Sequence, residues 1–175
     1  HEEGDYAVWL DLVRKIRSSG RKEPVICLAA SFGSVLLNPL RMLPFIVNMY
    51  GKTGSGKTVT LMLAASVRAN PSERGYISES NSTVNALEMK LDALKHLPLM
   101  VDDLSKLRSD DKINLMGLIY GLCSGGGKNR LSRDGNMRNT PTWDNAIITN
   151  MERPLSDDST MRGGAMNRIL DFEVR

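Results

Sequence analysis

The segment Gly51-Lys52-Thr53-Gly54-Ser55-Gly56-Lys57-Thr58 constrains this chain more than any other. It matches the pattern G-x-x-x-x-G-K-[ST] in full, and each position has a physical reason. Glycines let the backbone turn back on itself with its N–H groups aimed at one point, where an anion can sit. A helix beginning at Lys57 adds its positive N-terminal end to the same point. The Lys57 ammonium suits the β- and γ-phosphates of a nucleotide, and the Thr58 hydroxyl suits Mg²⁺. From average residue usage, a chance match in a chain of 175 residues is on the order of one per cent. The flanks fit as well. Phe45 to Tyr50 reads as a buried strand just before the loop, and Lys57 to Ala69 as a helix just after it.

A phosphate loop of this kind works with an acidic partner at the end of a neighbouring strand. Leu99-Met100-Val101 is a short apolar run that ends in Asp102-Asp103, 44 residues beyond Thr58. Asp102 is the candidate to hold the metal together with Thr58, and Asp103 to orient or deprotonate an attacking water. The plain alternative is a pair that caps the next turn. A third polar point, Thr149-Asn150, ends the apolar run that begins at Ala146. A side chain there can position water between the terminal phosphate and the acids, although spacing leaves a simple turn asparagine equally open. Phosphoryl transfer also gains from a cation on the developing charge. Arg162 and Arg168 both follow the Ala146 run, and Arg168 opens a strand that would hold it rigidly. A surface ion pair explains either arginine as well.

The rest of the chain alternates strands and helices. Tyr6, Trp9, Val13 and Ile16 recur at helical spacing, and the helix is expected to end near Ser18-Ser19-Gly20. Pro24 is expected to open a second helix through Cys27 and Phe32 toward Leu37, before Asn38-Pro39 stops it. The apolar faces of both are expected to be core. They form a small N-terminal helical segment, residues 1–43, packed on a main unit of residues 44–175. Gly75 to Ser78 is a weak strand candidate. Thr83 to Leu94 reads as an amphipathic helix. A further helix is expected from Asp110 to Cys123 with Ser109 as N-cap. Ala146 to Thr149 and Ile169 to Val174 read as buried strands. The sequence predicts an α/β fold with a mostly parallel central sheet and helices on both faces.

Composition excludes several classes. Hydrophobic residues are 41% and charged residues 25%, near the globular average, so wholesale disorder is ruled out. The stretches without charge or proline, Val25 to Asn38 among them, are too short to span a bilayer, so a soluble, cytoplasmic chain is expected. Cys27 and Cys123 stand alone in apolar stretches and read as buried thiols. His1 and His96 are the only histidines, which argues against most zinc enzymes and against a Ser-His-Asp triad. The chain begins His-Glu-Glu-Gly, which suggests a piece of a longer protein without a signal peptide.

The net charge is +3, and one stretch carries as much by itself. Between Gly125 and Thr140, Lys128, Arg130, Arg133 and Arg138 stand against Asp134 alone. Such a loop suits the phosphates of a nucleic acid, and a solvated loop explains the charge equally well. Only Tyr120 and Trp143 are aromatic near it, so any grip on DNA is expected to be electrostatic and indifferent to sequence.

Taken together, these residues resemble a family: the P-loop ATPase domain of unknown function found in phage, plasmid and genomic-island proteins, often beside or fused to primase modules. That group is similar to superfamily-three helicases and the wider AAA+ class. The resemblance covers Val25 to Arg175. It rests on Tyr50 to Thr58, Ser82 to Glu88, Leu99 to Asp103, Gly127-Lys128-Asn129-Arg130, Ser132-Arg133-Asp134-Gly135, Trp143, Thr149 with Glu152, and Gly164 to Arg168. It implies a P-loop NTPase fold with the strand from Ala146 lying between the Phe45 and Leu99 strands. It implies Mg²⁺-dependent ATP hydrolysis, a ring or other multimer, and work on single-stranded or forked DNA. Arg168 becomes the leading candidate for the cation, with Arg162 behind it, and Lys128, Arg130 and Arg133 become the candidate DNA contacts. Two readings outside the helicase class share the loop. One is a nucleotide-switched remodeller or scaffold acting on protein partners. The other is a small-molecule kinase, for which the sequence offers no lid. Asp103 departs from the family, whose members commonly carry Glu there. The sequence leaves open whether Thr149 or Asn150 meets the phosphate.

Overall fold

A computed structural model of the protein describes residues 4–72, 75–78, 83–104, 115–127, 139–157 and 166–175. Among these, four strands form one sheet: β1 (Phe45–Tyr50), β2 (Leu99–Val101), β3 (Ala146–Met151) and β4 (Ile169–Glu173), in the order β2-β3-β1-β4. Every pairing is parallel, with Phe45 opposite Ala146, Ile46 opposite Ile169 and Leu99 opposite Ile147. β3 thus lies between β1 and β2, the order the resemblance implies.

The apolar runs become strands because the central strands of a parallel sheet are covered on both faces, so most of their positions take an apolar side chain, while β4 at the edge is only partly covered. Alternate residues serve different cores. Ile46, Leu99, Val101, Ile147 and Met151 face α4 (Val84–Leu94) and α5 (Leu115–Cys123), meeting Leu87, Leu91, Leu118, Ile119 and Leu122. Val47, Met49, Met100, Ala146 and Ile148 face α2 (Lys22–Gly33) and α3 (Lys57–Ala65), meeting Cys27, Ala30, Leu61, Ala64 and Ala65. The chain has the mixed α/β architecture of a P-loop NTPase-like fold, with helices on both faces of the sheet.

Several boundaries differ from expectation for local reasons. α1 (Tyr6–Ser18) starts at Asp5, whose carboxylate accepts from the Ala7 and Val8 amides, and Gly20 beyond its end takes φ +77°. Its apolar face is not core, which corrects that expectation. None of its residues is buried, and Tyr6 is 72% exposed. Instead Trp9 stacks on Tyr6, meets Phe32 edge-on, and donates from Nε1 to the Ser66 hydroxyl at 2.8 Å. α2 stops at Gly33 and tightens into a 3-10 turn over Ser34–Leu36. α3 ends at Ala65, not Ala69. The Ser66 hydroxyl donates to the Leu63 carbonyl at 2.6 Å, and the chain closes in tighter turns there. Gly75 to Ser78 reduces to a single bridge between Ser78 and Val101. α4 is capped by Thr83, whose Oγ1 accepts from the Ala86 amide. The proposed cap Ser109 and helix start Asp110 lie outside the described residues. Among the described residues, no helix is long and apolar enough to cross a membrane.

Candidate phosphate-binding site

The site grows from the C-terminal end of β1. Directly after Tyr50 the chain takes three left-handed or otherwise glycine-favouring turns, with φ +146° at Gly51, +84° at Gly54 and +91° at Gly56. Gly51 is demanded twice over. A Cβ there would stand 2.6 Å from the Val174 carbonyl oxygen, because β4 ends against this corner, where the Val174 amide donates to the Tyr50 carbonyl. Gly56 precedes α3 with no side chain capping its first turn, so the helix N–H groups are left for an anion. Lys57 crosses the inside of the loop, and its ammonium donates to the Gly51 and Lys52 carbonyls at 2.7 and 2.8 Å. The Ser55 hydroxyl is buried without a hydrogen-bond partner. An orphaned hydroxyl beside an open helix N-terminus is what a bound phosphate would satisfy, so these residues fit a nucleotide's phosphates.

The acidic partner is where the period of the strands puts it. In β2, Met100 faces the α3 side, so Asp102, two residues on, does too. In β3, Ala146 and Ile148 face that side, and Asn150 follows them. Thr58, Asp102 and Asn150 therefore converge. Thr58 Oγ1 lies 3.5 Å from Asp102 Oδ1, and Asn150 Nδ2 donates to the same oxygen at 2.7 Å and lies 3.5 Å from Thr58 Oγ1. Asn150 uses its other end as well, with Oδ1 accepting from the Asp103 amide at 2.9 Å. Asp103 itself takes φ +59°, an uncommon conformation for a residue with a side chain. A hydroxyl and a carboxylate oxygen this close, both oxygen donors, suit a hard cation such as Mg²⁺.

Thr149 and Asn150 fall on opposite faces of β3. Thr149 is fully buried on the opposite face, in register with Asn48, and Asn150 is the residue that reaches Asp102. Arg168 is not brought to this site. It precedes β4, whose first residue pairs with Ile46, so it stands at the opposite, N-terminal end of the strands, roughly 16 Å of strand away from Gly51. There its Nη1 donates to the Cys123 carbonyl at 2.6 Å, capping the end of α5. Arg162, Lys128, Arg130 and Arg133 lie outside the described residues.

Sequence reading missed a second polar group on the other face. Asn48, fully buried in β1, donates from Nδ2 to Asp171 Oδ1 at 2.7 Å, and Asp171 Oδ2 accepts from the Ser156 amide at 2.7 Å. It also missed an open cleft of about 440 Å³ beside the loop, lined by Tyr50, Gly51, Lys52, Thr53, Glu152, Arg153, Pro154 and Glu173. The available signal was a polar residue in each of two apolar runs, Asn48 in β1 and Asp171 in β4.

Six solved chains match this one. Among them is "SCCmec type IV Cch - active helicase", which aligns over 98% of this chain with a TM-score of 0.75 at 21% identity. At that identity the likeness shows the fold, and this chain spans 31% of that one's length. No curated protein matches the sequence. A family model described as "Domain of unknown function (DUF927)" matches residues 1–142, taking in both N-terminal helices, the glycine loop and the Asp102-Asp103 pair, and stopping short of β3. By that match over most of its length, the chain belongs to the DUF927 family.

Proposed function

We propose that this chain is the motor domain of a DNA helicase, using Mg²⁺-dependent ATP hydrolysis to do work on single-stranded or forked DNA as a ring or other multimer, with a primase module as a partner. The observation that carries the hydrolase part is the convergence of Thr58, Asp102 and Asn150 beside a loop whose Ser55 hydroxyl and helix N-terminus lack partners.

Mg²⁺ bound with the nucleotide supplies charge neutralisation at the β- and γ-phosphates. The chain's own residues do the rest. The amides of Gly54 to Thr58 hold the phosphates, and Lys57 gives up its two carbonyl partners to bind them. Thr58 and Asp102 hold the cation. Asn150 fixes the Asp102 carboxylate and the Asp103 amide together, which sets where Asp103 can hold a water for attack. Arg168, at the opposite end of the strands, acts on a phosphate only in a second copy, as does a finger supplied in trans. The helicase part draws on the fold shared with the active helicase and on the basic stretch holding Lys128, Arg130 and Arg133.

The test is an ATPase titration against single-stranded DNA in the full chain. Lys57→Ala is expected to abolish hydrolysis, and single strands are expected to stimulate the unsubstituted chain in a salt-sensitive manner. Hydrolysis that survives Lys57→Ala removes the hydrolase reading. Hydrolysis without stimulation, in a preparation shown to be oligomeric, removes the DNA motor and leaves a nucleotide-switched remodeller.

A further inference from the structure

The cleft beside the loop holds four charged side chains, and their engagement differs. Glu152 accepts from the Thr53 hydroxyl at 3.4 Å, and Glu173 is paired with the Arg175 guanidinium at 2.8 Å. Lys52 belongs to the loop itself. Arg153 is exposed and has no ion pair or hydrogen bond among the described residues. Its backbone, in contrast, is held on three sides. Before it, β3 ends at Met151 in register with Tyr50. Next to it, Glu152 touches the loop through Thr53. After it, Pro154 fixes the backbone and the Ser156 amide is anchored on Asp171, which is in turn held by the buried Asn48. A free guanidinium on an anchored turn, in a cleft that the first half of a phosphate loop also lines, is placed for an anion held at that loop.

We propose that Arg153 is a second cation, beside Lys57, that this chain itself supplies to the terminal phosphate of its bound nucleotide, acting on the charge that develops in transfer. It places the cation that answers the developing charge in the same copy as Lys57, three residues beyond Asn150, whatever a second copy adds through Arg168. This inference rests on the hydrolase reading above.

The experiment compares the full chain with Lys57→Ala, Arg153→Ala and Arg153→Lys. It measures steady-state hydrolysis, binding of ADP, and binding of ADP with aluminium fluoride, which mimics the transferring phosphoryl group. Arg153→Ala is expected to lower kcat by about a hundredfold. It is expected to shift ADP affinity by less than about threefold and to weaken the aluminium fluoride complex by at least about tenfold. Arg153→Lys should recover part of both losses, and the melting temperature should stay put because the side chain is exposed. An unchanged kcat, a loss confined to KM, or equal losses for ADP and its aluminium fluoride complex would each overturn the proposal while leaving the hydrolase reading intact. Hydrolysis indifferent to Lys57→Ala overturns both.

Discussion

At the scale of single residues, Gly51 is the position with least freedom. Its φ of +146° excludes most side chains, and the Val174 carbonyl occupies the place of a Cβ. Gly51→Ala is therefore expected to destabilise the fold by about 1–3 kcal/mol and to lose nucleotide binding, because the backbone must shift where the loop leaves β1. Thermal melting and nucleotide titration together check this. A substitution with normal binding and stability would show that the corner yields easily. Asn150 works differently. Both ends of its amide are in use, so it reads as a clamp between the Asp102 carboxylate and the Asp103 amide, with few atoms to spare for a ligand.

At the scale of elements, the period of two along each strand decides which polar residues meet. The sequence made the phosphate loop legible through its glycines, and Asp102-Asp103 through the apolar run before it. It could not separate Thr149 from Asn150, because adjacent residues differ only in which face of β3 they occupy, and facing is fixed by pairing with β1. Nor could it show that the apolar stripe of α1 is only partly covered, with Tyr6 exposed and Trp9, Val13 and Ile16 half-buried, because helical spacing is the same whether or not another element covers it. Arg168 illustrates a third kind of gap. Spacing placed it at the start of β4, but only parallel register shows that a strand start lies far from the loop. Its bond to the Cys123 carbonyl predicts that Arg168→Ala lowers stability by about 1–2 kcal/mol in the absence of any nucleotide, measured by denaturant unfolding. An unaltered midpoint would make that cap incidental and leave the guanidinium free for other duty.

At the scale of the whole molecule, the two cores each bury a thiol. Burial pushes Cys27 up to about 12 and Cys123 up to about 11, from an ordinary 9.0. The unfolded chain loses these protons first, so their stabilisation is complete below pH 9.0 and is lost as pH rises toward the folded values. Tyr76, raised by burial from 10.0 to about 12, adds to the loss above pH 10.0. Lys90 acts oppositely, since burial lowers it from 10.5 and its stability term grows with pH up to that value. The expected outcome is a melting temperature that falls from pH 9 upward, with a slope that flattens in Cys27→Ala. Each thiol contributes about 1.4 kcal/mol per pH unit where it titrates fully. A flat profile to pH 11, or an identical slope in the variant, would refute the account.

The corner shared by Gly51 and Val174 joins positions 123 residues apart in the chain, the most distant ends of the sheet's connectivity. A pairing so remote forms late, since the intervening segment must first be gathered in. The cradle therefore takes its final shape only once β4 has docked, and a nascent chain that has already made its glycine loop does not yet own a finished seat for a nucleotide.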